Sequence, residues 1–389
     1  MRLNRKTILS VILLTIATSA FAAHLVPATS SGFAYTGRTS HTYKPGAVAW
    51  TYPGVQIRCT FSGTSVQMKT NPDCGYFMVE IDSMAPHKVQ VMKGSNITLL
   101  GKDLPEGEHS LTLTYLIEGH AKKPTFYGLL LDDGCDLGER PVLPERRIEF
   151  IGNSITCGYG IEGDGTEKTF LFSKQNFYYT YAAIAARNLG AQYQVCARSG
   201  IGIYRNYAGK IPDQIMPNIY PHTFYTTNGE LWDFSRFQPD VVCVNLGCND
   251  TSVGEYDKAR LTEAFKSFTK MLRGHYPKAK IVYLIGAIPR SKRLTDINDA
   301  QDAAIADADR AIAASPEFTL AYFLRANARY MRYRMAQSGA EVDAVATTDV
   351  KAQAMLHQRE DAEALQQRGE SPLQQPQQRG GAQQGDGGE

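Results

Sequence analysis

Arg147-Ile148-Glu149-Phe150-Ile151-Gly152-Asn153-Ser154-Ile155-Thr156-Cys157-Gly158-Tyr159-Gly160 begins as an apolar run, breaks at Gly152 and presents a serine where the backbone must turn. A run bounded by such turn signals reads as a buried strand of a parallel sheet. Open α/β sheets bind ligands at the carboxyl ends of their strands, so Ser154 sits where chemistry is expected. The competing reading is a strand-ending serine that merely caps the following segment.

Downstream, strand and helix alternate. Phe177 to Leu189 reads as an amphipathic helix ended by Gly190. Tyr193 to Ala197 is the next strand, ending in Arg198-Ser199-Gly200-Ile201-Gly202, and a long loop rich in Tyr, Pro and Asn runs on to Trp232. Val241 to Leu246 is a third strand, ending in Gly247-Cys248-Asn249-Asp250, and Asp250-Thr251-Ser252 reads as the cap of the helix after it. That helix, Tyr256 to Arg273, repeats Leu261, Ala264, Phe265, Phe268 and Leu272 at helical spacing, and Ile281 to Ile285 is a fourth strand. The alternation predicts a parallel, doubly wound three-layer domain over residues 146–289. Its strand ends then bring Ser154, Gly200 and Asn249 to one edge. Acyl transfer needs a nucleophile and donors aimed at the developing oxyanion. Ser154 can be the first; the Ser154 and Gly200 N–H groups and the Asn249 amide can be the second.

Upstream, residues 30–140 alternate in short runs separated by turns, with no convincing helix. Val55 to Phe61, Phe77 to Ile81, Ser110 to Leu116 and Phe126 to Leu131 predict a β-sandwich or jelly roll, with Pro141 and Pro144 marking the linker. Arg2, Arg5 and Lys6, the apolar run from Ile8 to Ala17 and Ala20-Phe21-Ala22 make a signal peptide over residues 1–22. That predicts cleavage after Ala22 and a periplasmic or secreted protein. The apolar run is too short and too early for a permanent membrane span, and no later stretch reads as one.

Beyond Arg290 the sequence turns alanine-rich. Ala304, Ala308, Ala311 and Pro316, followed by Ala321 to Ala328, match part of the 34-residue tetratricopeptide pattern, so residues 296–367 read as repeat-like helices and a possible protein-partner surface. An ordinary alanine-rich helical hairpin is the alternative. Residues 368–389 are Gln/Gly-rich and read as disordered.

The 389 residues carry a net charge of +2, which gives no electrostatic case for a nucleic-acid partner. The seven cysteines show no metal-ligand spacing; a disulfide such as Cys59 with Cys74 suits an oxidising compartment, but sequence does not pair them.

The set G-N-S-I-T, the Gly200 block and G-C-N-D resembles the SGNH (GDSL-type) hydrolases. With a sandwich in front and Trp232 to Asp240 ahead of the third strand, residues 30–289 resemble the two-domain acetyl-xylan esterases of carbohydrate esterase family 2. The resemblance implies deacetylation of plant polysaccharides such as xylan or glucomannan, without metal or organic cofactor. It makes Ser154 the nucleophile and Gly200 and Asn249 the oxyanion donors. Among the loop aromatics Tyr204, Tyr207, Tyr220, Phe224, Tyr225 and Trp232, we expect Tyr204, Tyr207 and Trp232 to meet the carbohydrate. Tyr178, Tyr179 and Tyr181 read as helix packing.

Two departures stand out. Asn153 occupies the place of the family's aspartate. The D-x-x-H motif that supplies the family's general base is missing, so the hydrolase domain reads as incomplete at its C-terminus. His275 belongs near a helix end on the opposite edge; His222 lies in the long loop; His357 lacks the motif's context. His24, His41, His87, His109 and His120 read as surface residues. The general base is therefore unassigned, and three readings stay open: an exported carbohydrate O-acetyl esterase, active or impaired; a non-catalytic glycan binder; or a repeat-mediated interaction protein.

Overall fold

The computed structural model describes residues 23–164, 169, 171–210, 213–284 and 292–307. The signal peptide, the segment from 308 through His357 and the Gln/Gly-rich tail lie outside them.

Ten strands build the first domain: β1 (Ala23–Pro27), β2 (Ala34–Thr36), β3 (Val48–Ala49), β4 (Gln56–Ser62), β5 (Val66–Thr70), β6 (Tyr76–Ile81), β7 (His87–Gln90), β8 (Ile97–Gly101), β9 (Glu108–Tyr115) and β10 (Thr125–Asp132). One antiparallel sheet runs β1-β10-β5-β8 with β3 beside β10; the other runs β2-β4-β9-β6-β7. Alternation along each strand sends one set of side chains inward, as in β4, where Ile57, Cys59 and Phe61 are buried. The inward sets meet in one core around Trp50, Phe61, Phe77, Tyr115 and Phe126. This is the expected sandwich, begun seven residues earlier than Ser30 by β1, whose pairing with β10 no local signal betrays. Cys59 and Cys74 are separate buried thiols here, so the suggested disulfide is absent.

The second domain has four parallel strands, β11 (Arg147–Gly152), β12 (Gln192–Ala197), β13 (Val241–Asn245) and β14 (Lys280–Tyr283), in the order β12-β11-β13-β14. The chain leaves central β11 to one side for β12 and to the other for β13, which opens a crevice at the carboxyl end of β11. Helices α1 (Ser154–Cys157), α2 (Tyr181–Asn188), α3 (Met216–Ile219), α4 (Lys258–His275) and α5 (Lys292–Asp307) accompany them. Helix α2 buries Ala182, Ala183 and Ala186 on one face of the sheet. Helix α4 buries Leu261, Phe265, Phe268 and Leu272 on the other, at the spacing read from the sequence.

Two boundaries differ from expectation. Phe177–Tyr179 is a separate 3-10 turn, because the Thr180 hydroxyl accepts the Ala183 N–H and starts α2 afresh. Helix α4 is capped by Asp257, whose Oδ1 accepts the Arg260 N–H at 2.9 Å, and not by the Asp250 group. Helix α5 departs further from the repeat-like reading. Its Ile297, Ala300 and Ala304 join the same core as α4, and Asp296 takes Tyr256 Oη at 2.6 Å and Lys258 Nζ at 3.0 Å. Residues 292–307 thus pack as part of the α/β domain.

Candidate active site

Parallel pairing sets the carboxyl ends level: Gly152 stands opposite Ala197 on one side and Asn245 on the other. The three expected loops therefore leave from one edge. Ser154 opens α1 and is half-buried. The cap of that turn is Asn153, not Ser154: Asn153 Oδ1 accepts the Ile155 N–H at 3.1 Å. The serine hydroxyl has no side-chain hydrogen-bond partner among the described residues.

Asn153 is fully buried, and its amide explains the departure from aspartate. Nδ2 donates to the Asn245 carbonyl at 2.9 Å and reaches Cys248 Sγ at 3.2 Å. A carboxylate there would set oxygen against oxygen.

Gly200 has φ +78°, a conformation natural to glycine, and its N–H has no partner among the described residues. Asn249 is buried, and Nδ2 donates one hydrogen to the Ile201 carbonyl at 2.7 Å. That bond ties the third loop to the second and leaves the other amide hydrogen for a ligand. Asp250 does related work. Its carboxylate accepts the N–H groups of Ile203, Tyr204 and Arg205 at 2.9 to 3.1 Å, and burial raises its pKa against those bonds. Gly202 is required beside it, since a Cβ there would lie 1.9 Å from the Arg205 carbonyl oxygen.

The aromatic residues divide. Tyr207 is 58% exposed and donates its N–H to the Gly200 carbonyl at 2.8 Å, so its ring stands beside the site. Tyr204 is buried, and with Arg205, Glu255, Tyr256, Asp257 and Arg260 it lines an open depression next to the same loops. Trp232 lies elsewhere. It is buried between Arg38 and Arg236, and it faces a cavity of about 370 Å³ lined also by Arg147 and Gln192, at the amino-terminal ends of β11 and β12. Tyr220 and Phe224 are buried as well, while Tyr225 donates its hydroxyl to the Ala197 carbonyl at the strand-end edge.

His275 stacks on Phe234 with ring centroids 3.6 Å apart, on the far side from Ser154 as expected. His222 is buried with Nδ1 on the Gly229 carbonyl. His109 is not a surface residue: it is buried between Asp82 and the Pro105 carbonyl. His120 is exposed, but its ring lies 5.5 Å from that of Tyr225, which brings it to the strand-end edge. Although the side chain reaches solvent, partial desolvation by its neighbours and then the Arg198 charge lower its pKa and favour the neutral imidazole.

Sequence reasoning also missed Glu118. This residue follows β9 in the sandwich, is 3% exposed and accepts both the Ser199 N–H (2.7 Å) and the Ser199 hydroxyl (2.5 Å). An acid after Leu116-Ile117 carries no signal of a partner so far along the chain.

A carbohydrate esterase 2 N-terminal model matches residues 35–141, and a GDSL-like lipase/acylhydrolase model matches residues 150–357, more than half of the chain. The chain belongs to the GDSL-like lipase/acylhydrolase family. Relatives of this GDSL-like chain include the cellulase/esterase CelE of Acetivibrio thermocellus, 36% identical over 257 residues, which are 66% of this chain and 31% of that protein. An acetylxylan esterase / glucomannan deacetylase of Cellvibrio japonicus is 29% identical over 62% of this chain and 69% of its own length. A family two carbohydrate esterase from Clostridium thermocellum, solved with cellohexaose, superposes with TM-score 0.65 at 32% identity, covering 72% of this chain and 85% of that one. The GDSL-like chain thus spans about a third of the length of CelE and most of the solved esterase. No described helix is long and apolar enough to cross a membrane.

Proposed function

We propose that the protein is an exported carbohydrate O-acetyl esterase acting on xylan or a similar acetylated plant polysaccharide. Ser154 attacks the acetyl carbonyl, and the Gly200 N–H and Asn249 amide receive the charge that develops on its oxygen. The observation that carries this reading is the level register of Gly152, Ala197 and Asn245, which brings those three loops to one edge in a chain of esterase kin. Tyr207, exposed beside Gly200, offers a ring to a sugar; Tyr204 flanks it.

Turnover is slow, because no D-x-x-H motif supplies a base to the serine. A serine without its base keeps only the contribution of the oxyanion donors and of binding. A second reading is favoured by the Ser154 hydroxyl, which no described side chain engages: a glycan-binding protein that has kept the cleft and lost the chemistry. The cellohexaose complex of the solved relative gives that reading a precedent in kind.

Release of acetate from acetylated xylo-oligosaccharides, with Ser154→Ala as control, separates the two. Serine-dependent turnover supports the esterase, and single substitutions of His120, His222 and His357 then identify its base. Equal and negligible rates with retained oligosaccharide binding support the glycan binder.

A further inference from the structure

We propose that Glu118 of the sandwich is a positioning residue for the esterase site, holding the Ser199-Gly200 peptide so that the Gly200 N–H faces the substrate. The inference rests on the esterase reading above. Its basis is a contact between domains: one carboxylate takes two donors from a single residue, Ser199 N at 2.7 Å and Ser199 Oγ at 2.5 Å. With both donors of Ser199 fixed, its Cα and the peptide plane that follows have little freedom. That plane carries the Gly200 N–H, which has no hydrogen-bond partner among the described residues.

Burial and then the Glu118 carboxyl raise the pKa of the Cys157 thiol, at the end of the turn that Ser154 begins, so the two groups are near neighbours. Glu118 therefore binds the segment with the donor and lies close to the one with the nucleophile. Its burial is costly unless the carboxylate oxygens are bonded. Among the described residues no cation lies within ion-pair distance of it. Adhesion between domains alone would be served as well by an apolar side chain. A carboxylate aimed at a main-chain N–H beside the oxyanion loop serves geometry instead.

The test uses the full chain as wild type, Glu118→Gln, Ser199→Ala, the double variant and Ser154→Ala. Glu118→Gln keeps the volume but replaces one of the two acceptor oxygens with an NH2 donor. We expect kcat for acetate release to fall tenfold or more with KM within twofold, thermal midpoint nearly unchanged, and the double variant no worse than the poorer single one. Hydrogen exchange of the Ser199–Ile201 amides should quicken by at least tenfold. A Glu118→Gln enzyme with kcat within twofold of wild type, or with unchanged exchange at those amides, overturns the inference. If Ser154→Ala matches wild type, the esterase reading fails on its own account, and exchange at Ser199–Ile201 alone then decides the role of Glu118.

Discussion

Arg38 of the sandwich and Glu149 of β11 face each other at 3.0 Å with neither side chain exposed at all. The pair is completed by hydrogen bonds. Arg38 also donates to the Tyr220 and His222 carbonyls, while Glu149 accepts from Gln194 at 2.7 Å and Tyr220 Oη at 2.7 Å. Tyr52, Tyr220, Trp232 and Phe234 surround the guanidinium. The long-loop aromatics expected to meet sugar therefore serve in part to bury this cation between the domains.

Removing one partner of a buried pair strands the other's charge. Arg38→Met should cost about 3–5 kcal/mol, and Arg38→Met with Glu149→Gln should cost clearly less than the two single losses added. Chemical denaturation of the four proteins checks this; strict additivity would contradict it.

Asn153→Asp restores the family's usual residue but removes the donor to the Asn245 carbonyl. A lost buried bond with two facing oxygens should destabilise by about 1–3 kcal/mol at neutral pH. The deficit should shrink in acid, where the new carboxyl regains a proton to donate. Thermal melts of both proteins across pH give the answer.

Asn249→Ala removes the proposed oxyanion donor and the tie to the Ile201 carbonyl. The expected loss is about 10²–10³ in kcat with little change in KM. A loss confined to KM would assign Asn249 to binding alone.

His109 provides a pH signature far from the site. Its burial opposes charge, but Asp82 at Nδ1 and the Pro105 carbonyl at Nε2 both accept hydrogen bonds and raise its pKa overall. Asp82, in turn, is lowered by His109 and by Ser110 in spite of its desolvation. For a raised histidine, the contribution to stability is complete below about pH 6.5 and is lost as pH climbs through the folded value. His109→Gln should flatten the fall of the melting temperature from mildly acidic to mildly alkaline pH, and an unchanged slope would count against the pair.

The features legible in the sequence were those whose cause is local. Strand β11 announces itself by its apolar run and its break at Gly152, and α4 by the spacing of Leu261, Phe265, Phe268 and Leu272. What was illegible depends on residues remote in sequence. Asp250 has the composition of a helix cap, but the loop N–H groups of Ile203 to Arg205 reach it first. His109 looks like any strand-edge histidine until the fold brings up Asp82. Trp232 stands in a polar loop and ends up under Arg38 and Arg236, at the opposite end of the sheet from Ser154. Helix α5 has alanine spacing that suits a repeat equally well; only the core formed with α4 distinguishes the two.

The pairing of β1 with β10, from Ala23 opposite Asp132 to Pro27 opposite Gly128, has a consequence for biogenesis. The first strand of the sandwich has no partner until the last has been synthesised. An emerging chain must carry Ala23–Pro27 as an unclaimed strand through nearly the whole domain, a long closure that slows folding and leaves a bare edge open to other chains. Protection of nascent Ala23–Pro27 should therefore be gained in one late step, when Thr125–Asp132 arrives.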